Sequence, residues 1–323
     1  MRRARALTAA ALAALLGCDG GEPGANAVGA GDARADIRIV AVTHGQSSDP
    51  FWSVVANGLE DAAEDLGVRF EYQAPTSFDM ERMGQLIEAA TASRPSGLIV
   101  TIPDGDALTA RLAAARDAGI PIVSINAGEA FWQEAGLLGH VGVNEYEAAR
   151  AGGERLAEAG ARAVLCVNHE VGNASLDERC RGLADAIAAA GGTVTVLAVD
   201  LADPDDTRQR VLGALRESRI DGILTLGPSV TGATLAALQE SGRAADVVYG
   251  TFDLTPEVLS AIEAGDVAFA IDQQPYLQRY VLNFFSVIHE ARSQHQEPGA
   301  HGDHEKRRRR RLLLADRVPR GMQ

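Results

Sequence analysis

The loops that follow the predicted strands carry carboxylate, amide and aromatic side chains, which together can bind a hydroxyl-rich small molecule. Sugars and polyols present apolar C–H faces and a rim of hydroxyls, so aromatic rings cover the faces while Asp, Asn, Gln and Arg bond the rim. Phe51 and Trp52 follow Asp49 closely and have this combination of groups. A carboxylate that accepts two ligand hydroxyls makes a strong contact inside a closed cleft.

Each of these residues also has an ordinary structural role. One of the two rings can simply pack in the protein interior. Asp49 can cap the helix predicted over residues 51–66, because a side-chain oxygen there accepts from free backbone N–H groups. Capping and ligand binding are compatible for Asp49.

The elements that must position these loops alternate between short apolar runs and amphipathic stretches, beginning at residue 36. This alternation is typical of an α/β fold with parallel strands and crossover helices, and about ten such units favour two sheets over one. Open parallel sheets bind ligands beyond the carboxyl ends of their strands. The predicted strands are 37–43, 68–73, 97–102, 121–125, 163–167, 193–199, 222–226, 247–251 and 267–271.

Composition and motifs exclude several classes of function. The net charge of −14 argues against a nucleic-acid partner, because phosphate binding needs a positive field. No G-x-G-x-x-G or P-loop motif is present, so a nucleotide cofactor is not predicted. We expect no cofactor and no resident metal.

The N-terminus has the order of a bacterial export signal, with three arginines before an apolar run over residues 6–16. The run is shorter than the roughly 20 apolar residues that a transmembrane span needs. Leu15-Leu16-Gly17-Cys18 resembles the lipobox of bacterial lipoproteins, in which the signal, here residues 1–17, is removed and Cys18 carries lipid. The alternative is an ordinary secretory signal with a chance cysteine. Residues 18–35 are rich in Gly and Ala and predict a flexible tether.

Two further cysteines, Cys166 and Cys180, lie fourteen residues apart. In an oxidising compartment outside the cytoplasm they can form a disulfide. The alternative is a pair of buried thiols.

Three motifs, in this order along the chain, resemble the ribose/galactose-type periplasmic binding proteins. They are Asp49-Pro50-Phe51-Trp52, the segment Gly119-Ile120-Pro121-Ile122-Val123-Ser124-Ile125-Asn126, and Ile271-Asp272-Gln273-Gln274-Pro275-Tyr276. The similarity covers residues 36–290. It implies an α/β fold of two Rossmann-like lobes, each with a parallel sheet, joined by a hinge of three crossings. The N-terminal lobe would comprise residues 36–139 with 275–296, and the C-terminal lobe residues 140–274.

The same resemblance assigns ligand-binding roles position by position. In the family, the ligand is trapped when the lobes close over it. The implied ligand residues are Asp49, Phe51, Trp52, Asn126, Asn173, Asp177, Arg179, Asp253 and Gln273, with Ser175 in the same segment as Asn173.

This chain departs from the family at two places. Gly227 stands where the family usually has Asn, so one hydrogen bond is missing or comes from Ser229. Near Pro204–Asp206 there is no aromatic residue to form a second stacking wall. The ligand class therefore stays open among sugars, polyols and cyclitols.

The resemblance implies an extracytoplasmic lipoprotein that binds a monosaccharide or polyol and docks on the membrane permease of an ABC importer. A receptor subunit for a sensor kinase or chemoreceptor is an alternative. A carbohydrate-active enzyme is a third class, since Asp49 and Asp253 can face each other as a carboxylate pair. We do not expect catalysis.

The C-terminal region lacks the strand with which the family completes its third crossing. A helix is predicted over residues 276–291, and residues 297–323 contain two histidines, His301 and His304, and a run of arginines. A lipid-docking or metal-binding segment is one interpretation. The alternatives are a disordered tail or a reading-frame change near residue 293.

Overall fold

The computed structural model describes residues 35–45, 49–217, 219–283 and 285 of the chain. The predicted signal segment 1–17, Cys18, the tether to residue 34 and the tail 297–323 lie outside these residues.

Strands and helices alternate along the described chain, as the sequence predicts. The strands are β1 (Arg38–Val42), β2 (Arg69–Gln73), β3 (Gly97–Val100), β4 (Ile122–Ile125), β5 (His140–Val141), β6 (Ala163–Asn168), β7 (Thr193–Ala198), β8 (Gly222–Thr225), β9 (Val248–Phe252) and β10 (Phe269–Ile271). The helices are α1 (Pro50–Leu66), α2 (Met80–Ala92), α3 (Gly105–Asp117), α4 (Glu145–Glu158), α5 (Ala174–Ala189), α6 (Pro204–Glu217), α7 (Thr231–Ser241) and α8 (Pro256–Ala264). Two 3₁₀ helices cover Pro228–Val230 and Pro275–Val281.

The strands form two five-stranded parallel sheets, in the orders β2-β1-β3-β4-β5 and β10-β9-β8-β6-β7. The second sheet repeats the topology of the first, with β6–β10 in the places of β1–β5. The strand order reverses between β1 and β3 and again between β6 and β8. Open α/β sheets bind ligands at such switch points. The α/β fold of two parallel-sheet lobes is confirmed.

Each sheet is covered by helices on both faces, and this explains the continuous apolar runs of the central strands. In β1, Ile39 and Ala41 join one buried cluster, while Val40 and Val42 join the cluster on the opposite face. The second sheet likewise separates two buried clusters. Each lobe therefore has its own core, and neither needs the other sheet to bury its strands.

The chain passes between the lobes after β5 and again after β10. Helix α4 follows the first passage and packs on α5 of the second lobe. After the second passage the 3₁₀ helix Pro275–Val281 packs on α1, and Val281 and Phe285 enter the first core. The chain thus returns to the first lobe after β10.

The predicted lobe boundary at residue 139 is two residues too early. Strand β5 (His140–Val141) pairs with β4, so the first sheet extends to Val141. A two-residue edge strand has no apolar run of its own, which is why the sequence pattern did not reveal it.

The predicted helix 276–291 begins as a 3₁₀ helix, because the described chain is 3₁₀ over Pro275–Val281. Short 3₁₀ and α segments both repeat apolar positions at i and i+3, so their patterns are alike. Most of the remaining residues of this predicted helix lie outside the described residues. The same holds for the region in which the family makes its third crossing. Among the helices of the described part, none is both long and apolar enough to span a membrane.

Candidate ligand-binding site

A cavity lies between the lobes, bordered by loops at the carboxyl ends of strands from both sheets. The cavity walls therefore lie at the switch points of the two sheets, where the strand order reverses. Eight of the nine predicted ligand residues line it, namely Asp49, Phe51, Trp52, Asn126, Asn173, Arg179, Asp253 and Gln273.

Asp49 is a helix cap and also part of the cavity wall. Its Oδ1 accepts a hydrogen bond from the backbone N–H of Phe51 at 3.0 Å, at the start of α1. The same oxygen accepts from the hydroxyl of Ser229, in the second lobe, at 2.9 Å. Burial raises the pKa of Asp49, and the two donated hydrogen bonds oppose this shift. The side chain thus connects a helix start to the opposite lobe.

Phe51 and Trp52 line the cavity while also packing in the first core. Both side chains are buried, and their rings meet edge to face with centroids 5.1 Å apart. Trp52 contacts His44 in the same geometry at 4.8 Å. Both rings therefore combine packing in the interior with a place in the cavity wall.

A hydrogen-bonded network joins Asn126, Arg179, Asp253 and Gln273. Gln273 Oε1 accepts from an Arg179 guanidinium N–H at 2.6 Å and from the Asn126 amide at 3.4 Å. The amide of Gln273 donates to Asp253 Oδ2 at 2.6 Å, and its backbone N–H donates to Oδ1 at 3.1 Å. Burial raises the pKa of Asp253 to about 7, while the Arg179 charge opposes the shift. Gln273 thus links groups from both lobes at the second passage of the chain.

Arg179 is held by protein partners on every side. It donates to Glu145 at 2.6 Å and to the carbonyl of Leu226 at 2.6 Å, and its guanidinium lies 4.0 Å from the Phe252 ring centroid. Burial raises the pKa of Glu145, and the Arg179 charge opposes that shift. The hydrogen bond between these opposite charges holds the arginine at the edge of the cavity.

The prediction that Asp177 binds ligand is not supported by its position. Asp177 is exposed on α5 and accepts a hydrogen bond from Asn168 at 3.3 Å. Leu176 and Arg179, three residues apart, share the helix face that lines the cavity, and Asp177 lies on another face. Asn173 caps the same helix by accepting from the backbone N–H of Ser175 at 3.0 Å. Ser175 lines the cavity.

Three residues that the sequence did not select, His44, His169 and Glu170, also line the cavity. Glu170 Oε2 lies 3.6 Å from His44 Nε2, and Glu170 accepts from the Asn173 amide at 2.7 Å. Burial raises the pKa of Glu170 to about 7 and lowers that of His44 to about 3. The sequence signal that could have identified these three residues is their place directly after β1 and β6, since each of these strands ends at the switch point of its sheet.

The structure explains why Gly stands at position 227, where the family usually has Asn. The His169 ring occupies the place next to Gly227, where a Cβ would lie 2.7 Å from the ring. Ser229 bonds Asp49, as noted above. Among the described residues, Phe51 and Trp52 are the Phe, Tyr and Trp residues that line the cavity, and both belong to the first lobe.

The two remaining cysteines are joined in the structure as a disulfide, Cys166–Cys180. Cys166 lies in β6 and Cys180 follows Arg179 in α5, so the bridge ties that helix to an inner strand of its sheet. Within the described residues, no group of three or more His, Cys, Asp or Glu side chains has the arrangement needed to hold a metal ion.

Comparisons with known proteins agree with this architecture. The chain is 32% identical to a carbohydrate transporter from Acidothermus cellulolyticus 11B, solved in complex with myo-inositol, with a TM-score of 0.74 over 79% of this chain and 87% of that one. A periplasmic sugar-binding protein of an ABC sugar transporter from Legionella pneumophila is 26% identical, with a TM-score of 0.73 over 78% and 94% of the two chains.

A curated relative, the xylose/arabinose-binding protein of Sulfolobus acidocaldarius, is 25% identical over 261 residues. The match covers 76% of this chain and spans 64% of the length of that relative. The family described as periplasmic binding protein domain matches residues 39–284, which include the whole cavity wall and all but the first residue of the two sheets. The chain therefore belongs to the periplasmic binding protein domain family.

Proposed function

We propose that this protein is the extracytoplasmic substrate-binding component of an ABC importer and that it binds a monosaccharide, polyol or cyclitol between its lobes. The observation that carries the proposal is the mixed wall of the cavity. Carboxyl and amide groups from both lobes surround one space that two aromatic rings border. The relatives support the same ligand class, since their names cite myo-inositol, sugar, xylose and arabinose.

Ligand capture works by a shift between open and closed arrangements of the lobes. A ligand stabilises the closed form because only that form contacts it from both sides. Direct contacts between the lobes assist closure, including the Ser229–Asp49 hydrogen bond and a bond from the Ala174 N–H to the Pro103 carbonyl at 2.8 Å. The closed form then docks on a membrane permease, which is the partner we propose.

The proposed site binds and releases its ligand unchanged. Both oxygens of Asp253 accept hydrogen bonds from Gln273, which suits a binding contact. Incubation of the purified protein with nitrophenyl glycosides should release no nitrophenol. Release that disappears in the Asp253→Asn variant would replace this proposal with an enzymatic one.

We propose further that Cys18 carries lipid and anchors the protein outside the cytoplasmic membrane. The support is the export signal with its lipobox-like end, followed by a Gly/Ala-rich segment before the first strand.

The ligand proposal is tested by binding measurements on the purified chain with Cys18→Ser. A thermal-shift screen against myo-inositol, D-xylose, L-arabinose, D-glucose, hexitols and pentitols should identify at least one stabilising compound. Calorimetry should then give a one-to-one complex. If no compound of the panel raises the Tm or releases heat, the proposed ligand class is wrong.

A further inference from the structure

His169 is a half-buried side chain with an unusual position. It lies in the loop after β6 and lines the cavity between the lobes. Its Nδ1 is buried and has no hydrogen-bond partner among the described residues. Buried polar atoms are nearly always hydrogen-bonded, because leaving one unpaired costs about 1–3 kcal/mol. A ligand atom in the cavity is therefore a natural partner for this nitrogen.

The chain makes room for the ring at one specific place. A Cβ on Gly227 would lie 2.7 Å from His169 Cε1 and 3.0 Å from Nε2, distances too short for the ring to stay where it is. Gly227 itself has an extended backbone with φ −168°, which any residue can adopt. Its missing side chain is thus explained by the space that His169 needs and not by backbone conformation.

The ring is uncharged near neutral pH. Burial and the nearby Arg179 charge lower the pKa of His169 to about 4. A neutral imidazole has one N–H donor and one acceptor nitrogen, so either tautomer can pair with a hydroxyl. His169 also borders a second, more open cavity together with Phe78, Glu170 and Arg210. His169 therefore lies between the inner cavity and this second cavity.

We propose that His169 is a specificity-determining ligand contact: its Nδ1 pairs with a hydroxyl at the outward end of the bound sugar or cyclitol, and Gly227 holds open the space for the ring. This inference rests on the proposed function and adds a named contact to it. It implies that ligands lacking that one hydroxyl are discriminated against.

The test compares variants at positions 169 and 227, with the tightest-binding compound of the panel named above as the probe. His169→Phe keeps a ring but removes both nitrogens, and it should weaken binding about tenfold, equivalent to about 1.4 kcal/mol. His169→Asn keeps a polar atom at the δ position and should restore most of that loss. Urea unfolding of each unliganded variant separates lost binding from lost stability.

A second pair of variants tests the role of Gly227. Gly227→Ala should weaken binding in the wild-type background by displacing the ring. In the His169→Asn background the same change should have little effect, since Asn lacks the atoms that the new Cβ would meet. Among the monodeoxy derivatives of the probe, one should bind weakly to wild type because it lacks the hydroxyl that His169 contacts. For that derivative, His169→Phe should have the same Kd as wild type.

The outcomes separate this inference from the proposed function. If wild type binds the probe and His169→Phe leaves the Kd within twofold, the inference is overturned while the function stands. Equal losses for the Phe and Asn variants would also overturn it, because the polar atom would then be irrelevant. If wild type binds no compound of the panel, the proposed function fails, and the inference fails with it.

Discussion

The hydroxyl of Ser229 in the second lobe donates a hydrogen bond to Asp49 Oδ1 in the first lobe, at 2.9 Å. These residues are separated by 180 positions in the chain, and each lies at the carboxyl edge of its own sheet. Asp49 uses the same oxygen to cap α1. A single carboxylate thus fixes a helix start and holds the lobes together beside the proposed ligand.

Removing this bond should weaken closure. Ser229→Ala deletes one hydrogen bond worth about 1 kcal/mol, so the Kd for the best ligand should rise about fivefold. The unliganded variant should also have a larger radius of gyration by solution scattering, because its closed form is less populated. Ser260→Ala, which alters an exposed serine in α8, is the matched control. Identical behaviour of the two variants would contradict the role of Ser229.

Asp253 lines the cavity and has a left-handed backbone, φ 63°. Asn tolerates this conformation and Ala does not, so Asp253→Asn should fold with nearly wild-type stability. At pH 8, where Asp253 with its pKa of about 7 is mostly ionised, loss of the charge should nevertheless weaken ligand binding about tenfold or more, since bonds to charged groups contribute about 1.5–3 kcal/mol. Asp253→Ala should lose binding and also about 1–3 kcal/mol of unfolding free energy. Calorimetry and urea unfolding measure the two effects, and unchanged affinity in Asp253→Asn would contradict the assignment.

Glu170 should make stability depend on pH. Its pKa rises from 4.5 to about 7 on burial beside His44 and Asn173. A raised pKa means that the folded protein binds the proton more tightly, so this stabilisation is full below about pH 4.5 and is lost as the pH approaches 7. Glu170→Gln cannot titrate, so its stability relative to wild type should increase between pH 5 and pH 8.

Urea unfolding at the two pH values measures this difference directly. The shift of Asp253 is present in both proteins and cancels in the comparison. Glu134→Gln changes an exposed carboxyl and should show no such trend. A constant difference between Glu170→Gln and wild type from pH 5 to pH 8 would exclude a raised pKa at Glu170.

The Cys166–Cys180 bridge should stabilise the second lobe by about 3 kcal/mol, because it closes a short loop and restricts the unfolded chain. In the Cys18→Ser background, thiol titration of the denatured, unreduced protein should detect no free thiol. Reduction should release both thiols and lower the urea midpoint. Two free thiols before reduction would show that the cysteines are unpaired.

The proposed lipid anchor at Cys18 predicts where the protein is found in the cell. Cys18→Ser should move the protein from the membrane fraction to the soluble fraction, because no acyl chain is attached. The double variant Cys166→Ala/Cys180→Ala should stay with the membrane and is the control. Retention of Cys18→Ser in the membrane fraction would refute the anchor.

Local sequence patterns were sufficient to predict most helices and strands and many residues of the cavity wall. The alternation of apolar runs and amphipathic stretches predicted every strand except β5, and apolar burial on both faces makes such runs easy to recognise. The Asp49–Trp52 segment and the Ile271–Gln274 segment carry their side-chain types in the chain itself. Both segments could therefore be recognised from the sequence.

Tertiary structure decided what the side chains do for one another. Asp177 and Arg179 are two residues apart, yet only Arg179 reaches the cavity, because the orientation of α5 on its sheet selects one helix face. His44 and Glu170 meet at 3.6 Å although 126 residues separate them, through the closure of the two lobes. Contacts of this kind depend on how the lobes pack against each other, and no local pattern of residues encodes that packing.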